Sequence, residues 1–314
     1  MKEKKGQAIR VVDKRRTLAV GESESQRATP PGRRNHTVLL GYYDQSEARQ
    51  FLEGKGLEAS LVEELLQKRA KAEERIRGLS PLVDQMSATL PITDGESIAE
   101  IEKMMRRPDC KQIYPAGTWT AKLMEISKLI PLQSNLDVAY AESLGPPDLS
   151  PSRLLSGVKL CFSERQGTSF GLNVDESQKS ITITGINPTL QVRGVECGQQ
   201  EQDGPFAVSL LISGRPNIVE VSQFGERCFL VSGYHRVYRM MKAGFSHVPC
   251  IVRETRALSE TGGRAPGFFP ERVQTVPRPP LFPDFADKVL GIMVPFRAMT
   301  KVIRIRPDEY FVFR

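Results

Sequence analysis

The chain of 314 residues has no long apolar run and few residues that could form cross-links. No segment approaches the ~18 consecutive apolar residues of a membrane helix. The charged N-terminus also lacks the apolar stretch of a secretory signal, so no membrane partner is expected. The five cysteines are scattered and form no CxxC motif, which argues against a disulfide framework and against a zinc site. We therefore expect a cytoplasmic protein with reduced thiols.

The net charge of +7 is concentrated at the N-terminus. Residues 1–36 hold ten Lys/Arg and four Asp/Glu, whereas the rest of the chain has 34 basic and 33 acidic residues. Because this tail is polar and poor in aromatic residues, residues 1–36 are predicted to be disordered or loosely attached. The tail is either a solvated terminus or a segment that contacts nucleic-acid phosphates non-specifically.

Residues 37–110 are predicted to form a helical subdomain that opens with a short strand over residues 37–42. Asp44 and Glu47 have the spacing of a capping box and predict the start of a helix. Apolar residues at helical spacing predict a second helix from about Ser60 and a third over residues 94–107.

Residues 111–254 are predicted to form the main domain, with a β-rich insertion near residues 157–204. The segment 119–126 is apolar and reads equally well as a strand or as a short helix. Trp119, the only tryptophan, is expected in the core. Within the insertion, residues 180–184 alternate between apolar and hydroxyl side chains, which is typical of a half-buried strand.

Residues 255–314 are predicted to form a C-terminal extension that packs on the core. The segment 262–285 is rich in proline and phenylalanine, and its apolar content favours packing, with a mobile lid as the alternative. The alternation over residues 301–306 predicts a final strand.

The segment FLVSGYHRVYRMMKAGFSHVPCIV, residues 229–252, carries the most specific pattern in the chain. Its apolar ends predict two strands. Val237, Met240 and Met241 have the spacing of one helix face, so a helix lies between the strands. Gly233 stands in the turn that leads from the first strand into this helix.

Such a turn is suited to bind a phosphate or another anion. Glycine lets the backbone approach a ligand closely, and a helix N-terminus offers free N–H groups with a partial positive charge. His235 and Arg236 add side-chain donors, and Arg239 follows Arg236 by three residues, so both can face one side. The predicted phosphate-binding residues are Ser232, Gly233, Tyr234, His235, Arg236 and Arg239. Two of them have an alternative role: Ser232 as a helix N-cap, and Tyr234 as a half-buried aromatic residue rather than a platform for a base.

This segment resembles the central box of ParB-type and sulfiredoxin-type domains, in which a strand leads through a G-x-[RH]-R turn into a helix and a Val-Pro strand. Residues 128–144, KLIPLQSNLDVAYAESL, resemble the earlier box of that superfamily, with its Pro-x-Gln. The resemblance implies a ParB/sulfiredoxin-like α+β fold. It also implies that Gly233, His235 and Arg236 contact nucleotide phosphates.

The chain departs from the family at Tyr234, where sulfiredoxins have cysteine and partition proteins have glutamate. Sulfiredoxin chemistry is therefore not expected, and hydrolysis of the partition-protein kind is in doubt. The serine-kinase branch accepts His-Arg in the turn and needs an acidic base, for which Asp137 and Glu142 are candidates.

The residues and the resemblance together predict an α+β protein that binds a nucleotide, for which a nucleoside triphosphate with Mg²⁺ is the candidate. Phosphotransfer or nucleotide hydrolysis is the candidate activity, and whether the protein is an enzyme stays open. No metal ligands are predicted. The alternatives are a non-catalytic module that binds nucleic acid with help from the basic tail, and a ParB-like nuclease. A nuclease normally needs a carboxylate cluster for metal, and the sequence shows none near the turn.

Overall fold

A six-stranded mixed sheet lies at the centre of the computed structural model, which describes residues 32–82, 88–148, 152–163, 170–185, 190–199, 206–262, 268–297 and 300–308. The strands are β1 (Arg33–Val38), β2 (Thr89–Pro91), β3 (Thr120–Glu125), β4 (Leu129–Pro131), β5 (Asn135–Asp137), β6 (Phe162–Ser163), β7 (Phe170–Asp175), β8 (Ser180–Gly185), β9 (Gln191–Gln199), β10 (Phe206–Ser213), β11 (Asn217–Ile218), β12 (Glu220–Phe224), β13 (Arg227–Ser232), β14 (His247–Glu254), β15 (Ile292–Arg297) and β16 (Lys301–Ile305). The α-helices are α1 (Gln45–Gly54), α2 (Ala59–Arg77), α3 (Gly95–Met105), α4 (Pro108–Ile113), α5 (Val138–Ser143), α6 (Arg153–Cys161), α7 (Tyr234–Lys242) and α8 (Glu271–Thr275). Short 3₁₀ helices span Leu40–Tyr42, Ile126–Lys128, Leu258–Thr261 and Phe282–Ala286. The predicted α+β class is confirmed.

The central sheet has the strand order β2-β3-β14-β12-β13-β4. β12 and β13 form an antiparallel hairpin around Gly225, which has a φ of 57°. β14 runs parallel to β12, and β4 runs parallel to β13. β3 pairs with β14, so the apolar segment after Trp119 is a strand. This order places residues 129–131 directly beside the strand that leads into the glycine turn.

Helix α7 follows that turn, as predicted. Val237 and Met240 are fully buried, and Gly244, with a φ of 77°, follows the helix end. Helices α5 and α6 both pack against α7, and β5 lies in contact with it. The start of α7 is therefore surrounded by residues that come from distant parts of the chain.

The helices near the N-terminus agree with their sequence signals. The Asp44 side chain accepts the N–H of Glu47, and the Glu47 side chain accepts the N–H of Asp44, so the capping box is present. Helix α3 begins after its N-cap Asp94. The predicted subdomain 37–110 is not a separate unit, because residues 33–314 form one compact unit in which β1 and β2 pair with strands from later segments.

The predicted disorder of residues 1–36 is wrong for its last residues. Arg33 to His36 belong to β1, which pairs with both β15 and β5. The sequence composition of the tail did not reveal this strand, because its partners lie far along the chain. Residues 1–31 are outside the described residues.

The predicted β-rich insertion begins later than expected. Residues 157–161 belong to helix α6, because the Ser152 side chain caps its start and Leu155 and Val158 face the core. Beyond it, β7 and β8 form a three-stranded sheet with β16, and β9 pairs with β10. β16 confirms the predicted strand near the C-terminus.

The C-terminal extension packs on the core, as favoured from the sequence. Phe269, Phe282 and Phe285 are buried. Residues 263–267 and 309–314 lie outside the described residues. In the part of the chain that the structure describes, no helix has the length and apolar character needed to cross a membrane.

Candidate functional site

The turn between β13 and α7 has a backbone conformation that requires glycine. Gly233 has a φ of 95°, in the left-handed region. A Cβ atom at this position would lie 2.7 Å from Cγ2 of Val219 and 3.0 Å from its Cα. Gly233 is also the N-cap of α7, and no side chain among the described residues caps this helix. The alternative role of Ser232 as the N-cap is therefore wrong, because Ser232 is the last residue of β13.

The uncapped start of α7 leaves backbone donors for an outside acceptor. The N–H groups of Arg236 and Val237 both donate to the Gly233 carbonyl, at 2.9 and 3.0 Å. Helix geometry provides no acceptor for the N–H groups of Tyr234 and His235. These two groups point along the positive end of the helix dipole, where an anion is stabilised.

The Tyr234 side chain has a structural position. It is buried, and its hydroxyl donates to the Leu230 carbonyl at 2.6 Å and accepts the N–H of Gln133 at 2.9 Å. These bonds connect the turn to the segment that follows β4. The ring therefore does not offer a platform for a base in this conformation, and Tyr234 can serve a ligand only through its backbone.

His235 is partly buried at the start of α7, beside Tyr140 and Asp137. The rings of His235 and Tyr140 meet edge to face, with centroids 4.7 Å apart. Burial lowers the pKa of His235 to about 4, and the nearby Asp137 carboxylate opposes this shift. His235 is therefore neutral at pH 7, and a further negative charge nearby would raise its pKa.

Asp137 is held between α5 and β1. One carboxylate oxygen accepts the N–H of Tyr140 at 2.9 Å and caps α5. The other oxygen lies 3.5 Å from Nη1 of Arg34 and 3.9 Å from Nε2 of His36. Burial lowers the pKa of His36, while the Asp137 charge raises it. Of the two acidic candidates, Asp137 is the one beside His235.

Glu142, the other candidate, is exposed. Burial raises the pKa of Tyr238, and the Glu142 charge also raises it; Tyr238 lies about one turn after His235 on α7. Sequence reasoning missed Arg34 and His36, because their approach to Asp137 depends on the pairing of β1 with β5. A histidine next to the predicted strand at Thr37 was the only signal available.

The two arginines of α7 contact different segments. Nη1 of Arg236 donates to the Cys161 carbonyl at 3.4 Å, and Nε of Arg239 donates to the Gly145 carbonyl at 3.0 Å. Burial raises the pKa of Glu220, and the Arg236 charge is among the influences that lower it. The sequence did not single out this buried carboxylate. At 3.4 Å the hydrogen bond from Arg236 is long and therefore weak.

The turn thus combines helix N–H groups, a neutral histidine, an arginine and a neighbouring carboxylate. No group of three or more His, Cys, Asp or Glu side chains among the described residues is arranged to hold a metal ion. No family model, curated protein or solved structure matches this chain. The functional conclusion therefore depends on the site itself.

Proposed function

We propose that the protein binds the phosphates of a nucleoside triphosphate at the start of α7, within a ParB/sulfiredoxin-like domain. The observation that carries the proposal is the uncapped helix start at Gly233, with His235 and Arg236 in its first turn. The pairing of β4 with β13 supports it, because it brings the earlier box, residues 128–144, against this turn.

Phosphate oxygens would be bound by three kinds of donor. The N–H groups of Tyr234 and His235 supply hydrogen bonds along the helix dipole. Arg236 turns from its weak contact with Cys161 to a bidentate contact with phosphate. His235 takes up a proton as the anion approaches, because the added negative charge favours the imidazolium form.

Asp137 gives the site a base for phosphotransfer. Its carboxylate lies beside His235 and accepts the proton of an acceptor hydroxyl while that oxygen forms a bond to the γ-phosphorus. The bond from the γ-phosphorus to the bridging oxygen breaks, and the nucleoside diphosphate leaves. With water as the acceptor, the same step is hydrolysis. Mg²⁺ would accompany the triphosphate, and the proposal assigns it no protein ligand.

The experiment is calorimetric titration of the full chain with ATP, CTP, GTP and inorganic triphosphate, each with Mg²⁺. Saturable binding is expected, and the double variant His235→Gln/Arg236→Gln should bind at least about tenfold more weakly, since each charge-assisted bond contributes roughly 1.5–3 kcal/mol. Arg106→Gln is the matched control, because Arg106 is an exposed arginine at the C-cap of α3, away from the turn. Inorganic triphosphate separates phosphate recognition from recognition of the base.

A second measurement follows the His235 imidazole by NMR through a pH titration. Its pKa of about 4 should rise when the nucleotide is bound and stay unchanged when only the nucleoside is added. A folded protein that binds no nucleotide would refute the proposal. If that protein instead bound DNA in a salt-sensitive manner that was lost on deletion of residues 1–31, the function would be non-catalytic binding of nucleic acid.

A further inference from the structure

A cavity of about 310 Å³ lies against β12 and β14 of the central sheet, beside Trp119. Its volume is at the lower end of the ~300–1,000 Å³ that small-molecule pockets have. Glu220 and Ser222 stand two residues apart on β12, so both side chains point to the same face of the strand, and both line the cavity. Arg253 on β14 pairs with Ser222 and completes this wall.

Two polar groups of the cavity wall have no partner among the described residues. Ser222 is fully buried, and neither its Oγ nor the buried Nε of Arg253 makes a hydrogen bond within that part of the chain. Proteins rarely leave buried polar groups unpaired. Because Ser222 and Arg253 are neighbours on adjacent strands, one acceptor group in the cavity can bond both.

The Arg253 guanidinium is held in place for such a contact. Nη2 of Arg253 donates to the Glu260 carbonyl at 2.7 Å, and the guanidinium lies over the Trp119 ring, 5.1 Å from its centroid. These contacts use one edge and one face of the guanidinium, and the buried Nε is left without a hydrogen-bond partner among the described residues.

The charges around the cavity favour an anion. Glu220 is 1% exposed, and its two carboxylate oxygens accept from the Tyr114 hydroxyl at 2.6 Å and from Nη2 of Arg215 at 3.0 Å. Glu220 therefore already has partners for its negative charge. Of the ionisable side chains in the wall, two are arginines and one is a carboxylate, which leaves a positive balance for a ligand to neutralise.

We propose that this cavity binds a small anionic metabolite, whose carboxylate or phosphate group accepts hydrogen bonds from Ser222 Oγ and Arg253 Nε and whose body lies beside Trp119. The proposal is independent of nucleotide binding at α7, because the ligand contacts none of the residues assigned to that turn.

Trp119 supplies the assay, since it is the only tryptophan in the chain. Its fluorescence is followed while the full-length protein is titrated with benzoate, with inorganic phosphate, and with benzyl alcohol, the neutral counterpart of benzoate. Benzoate or phosphate should change the fluorescence in a saturable manner, and benzyl alcohol should not. A response to benzoate alone assigns the site to carboxylates, and a response to phosphate alone assigns it to phosphate esters.

The decisive variant is Ser222→Ala, which removes one hydroxyl and changes the shape of the wall little. It should weaken binding at least about tenfold without lowering stability, because the lost hydroxyl has no hydrogen-bond partner among the described residues. Ser97→Ala, at a buried serine outside the cavity, is the matched control and should bind as the wild type does.

Binding should also survive His235→Gln, which separates this site from the one at α7. The proposal is overturned if neither anion changes the fluorescence, if benzyl alcohol binds equally well, or if Ser222→Ala binds as tightly as the wild type.

Discussion

Replacement of Gly233 by alanine tests the close approach on which the turn depends. The substitution adds one methyl group at a residue whose φ is 95°. The new Cβ would lie 2.7 Å from Cγ2 of Val219 and 3.0 Å from its Cα, and Val219 is fully buried. A contact this short with backbone and with a packed side chain can be relieved only by moving the glycine turn or the segment that carries Val219.

Two costs add in this variant. The left-handed conformation of an L-residue lowers the free energy of unfolding by about 1–2 kcal/mol. The overpacked methyl group adds about 1–3 kcal/mol. Gly233→Ala should therefore lower the free energy of unfolding by about 2–5 kcal/mol, a large part of the stability of an ordinary domain.

The matched control is Gly225→Ala in the hairpin between β12 and β13. Gly225 has a φ of 57°, and an added Cβ there would meet no atom within 4 Å. This variant should show only the conformational cost, about 1–2 kcal/mol. Urea unfolding followed by circular dichroism measures both variants. If Gly233→Ala lost no more stability than Gly225→Ala, the close contact with Val219 would not exist and the reasoning about the turn would be refuted.

Three further predictions concern buried polar groups. Between pH 6.5 and pH 4 the free energy of unfolding of the wild type should fall by up to about 3 kcal/mol because of His235. The pKa of His235 is lowered to about 4 in the folded state, so the imidazole takes up a proton when the protein unfolds in this pH range. Urea titrations across this range should give a flatter profile for His235→Gln, and equal profiles would contradict the burial of the ring. Asp284→Asn should lower the free energy of unfolding by about 3–5 kcal/mol, because this buried carboxylate accepts hydrogen bonds from a tyrosine and an arginine. The control Arg106→Gln, at an exposed ion pair, should lower it by under about 1 kcal/mol. Similar losses in the two variants would contradict the buried ion pair. Tyr114→Phe should lower the free energy of unfolding, measured by thermal unfolding, by about 1–3 kcal/mol, because Glu220 loses a buried hydrogen-bond donor. An unchanged stability would show that this hydrogen bond does not form.

Several elements followed from local signals in the sequence. The reciprocal bonds of Asp44 and Glu47 reproduce the capping-box spacing, and the hairpin around Gly225 follows from a glycine between two apolar runs. The strand, glycine and helix around Gly233 were equally visible, because alternation, helical spacing and a positive φ each leave a trace within a few residues.

The residues that surround that turn could not be predicted from local signals. Residues 33–36 looked like part of a charged tail, yet β1 pairs with β15 and β5 and brings His36 to Asp137. Tyr234 had two readings from the sequence, and only the bonds to Leu230 and Gln133 decided between them.

The sequence by itself therefore determined the α+β class, several of the helices and strands, and the glycine turn with its basic pair. The tertiary structure alone decided which carboxylate lies beside His235, and that Trp119, expected in the core, shares a cavity wall with Ser222 and Arg253. Local structure depends on dihedral preferences and periodicity within a few residues. The neighbours of a side chain depend instead on strand pairings between distant segments, whose energy comes from burial and main-chain hydrogen bonds and leaves no local pattern.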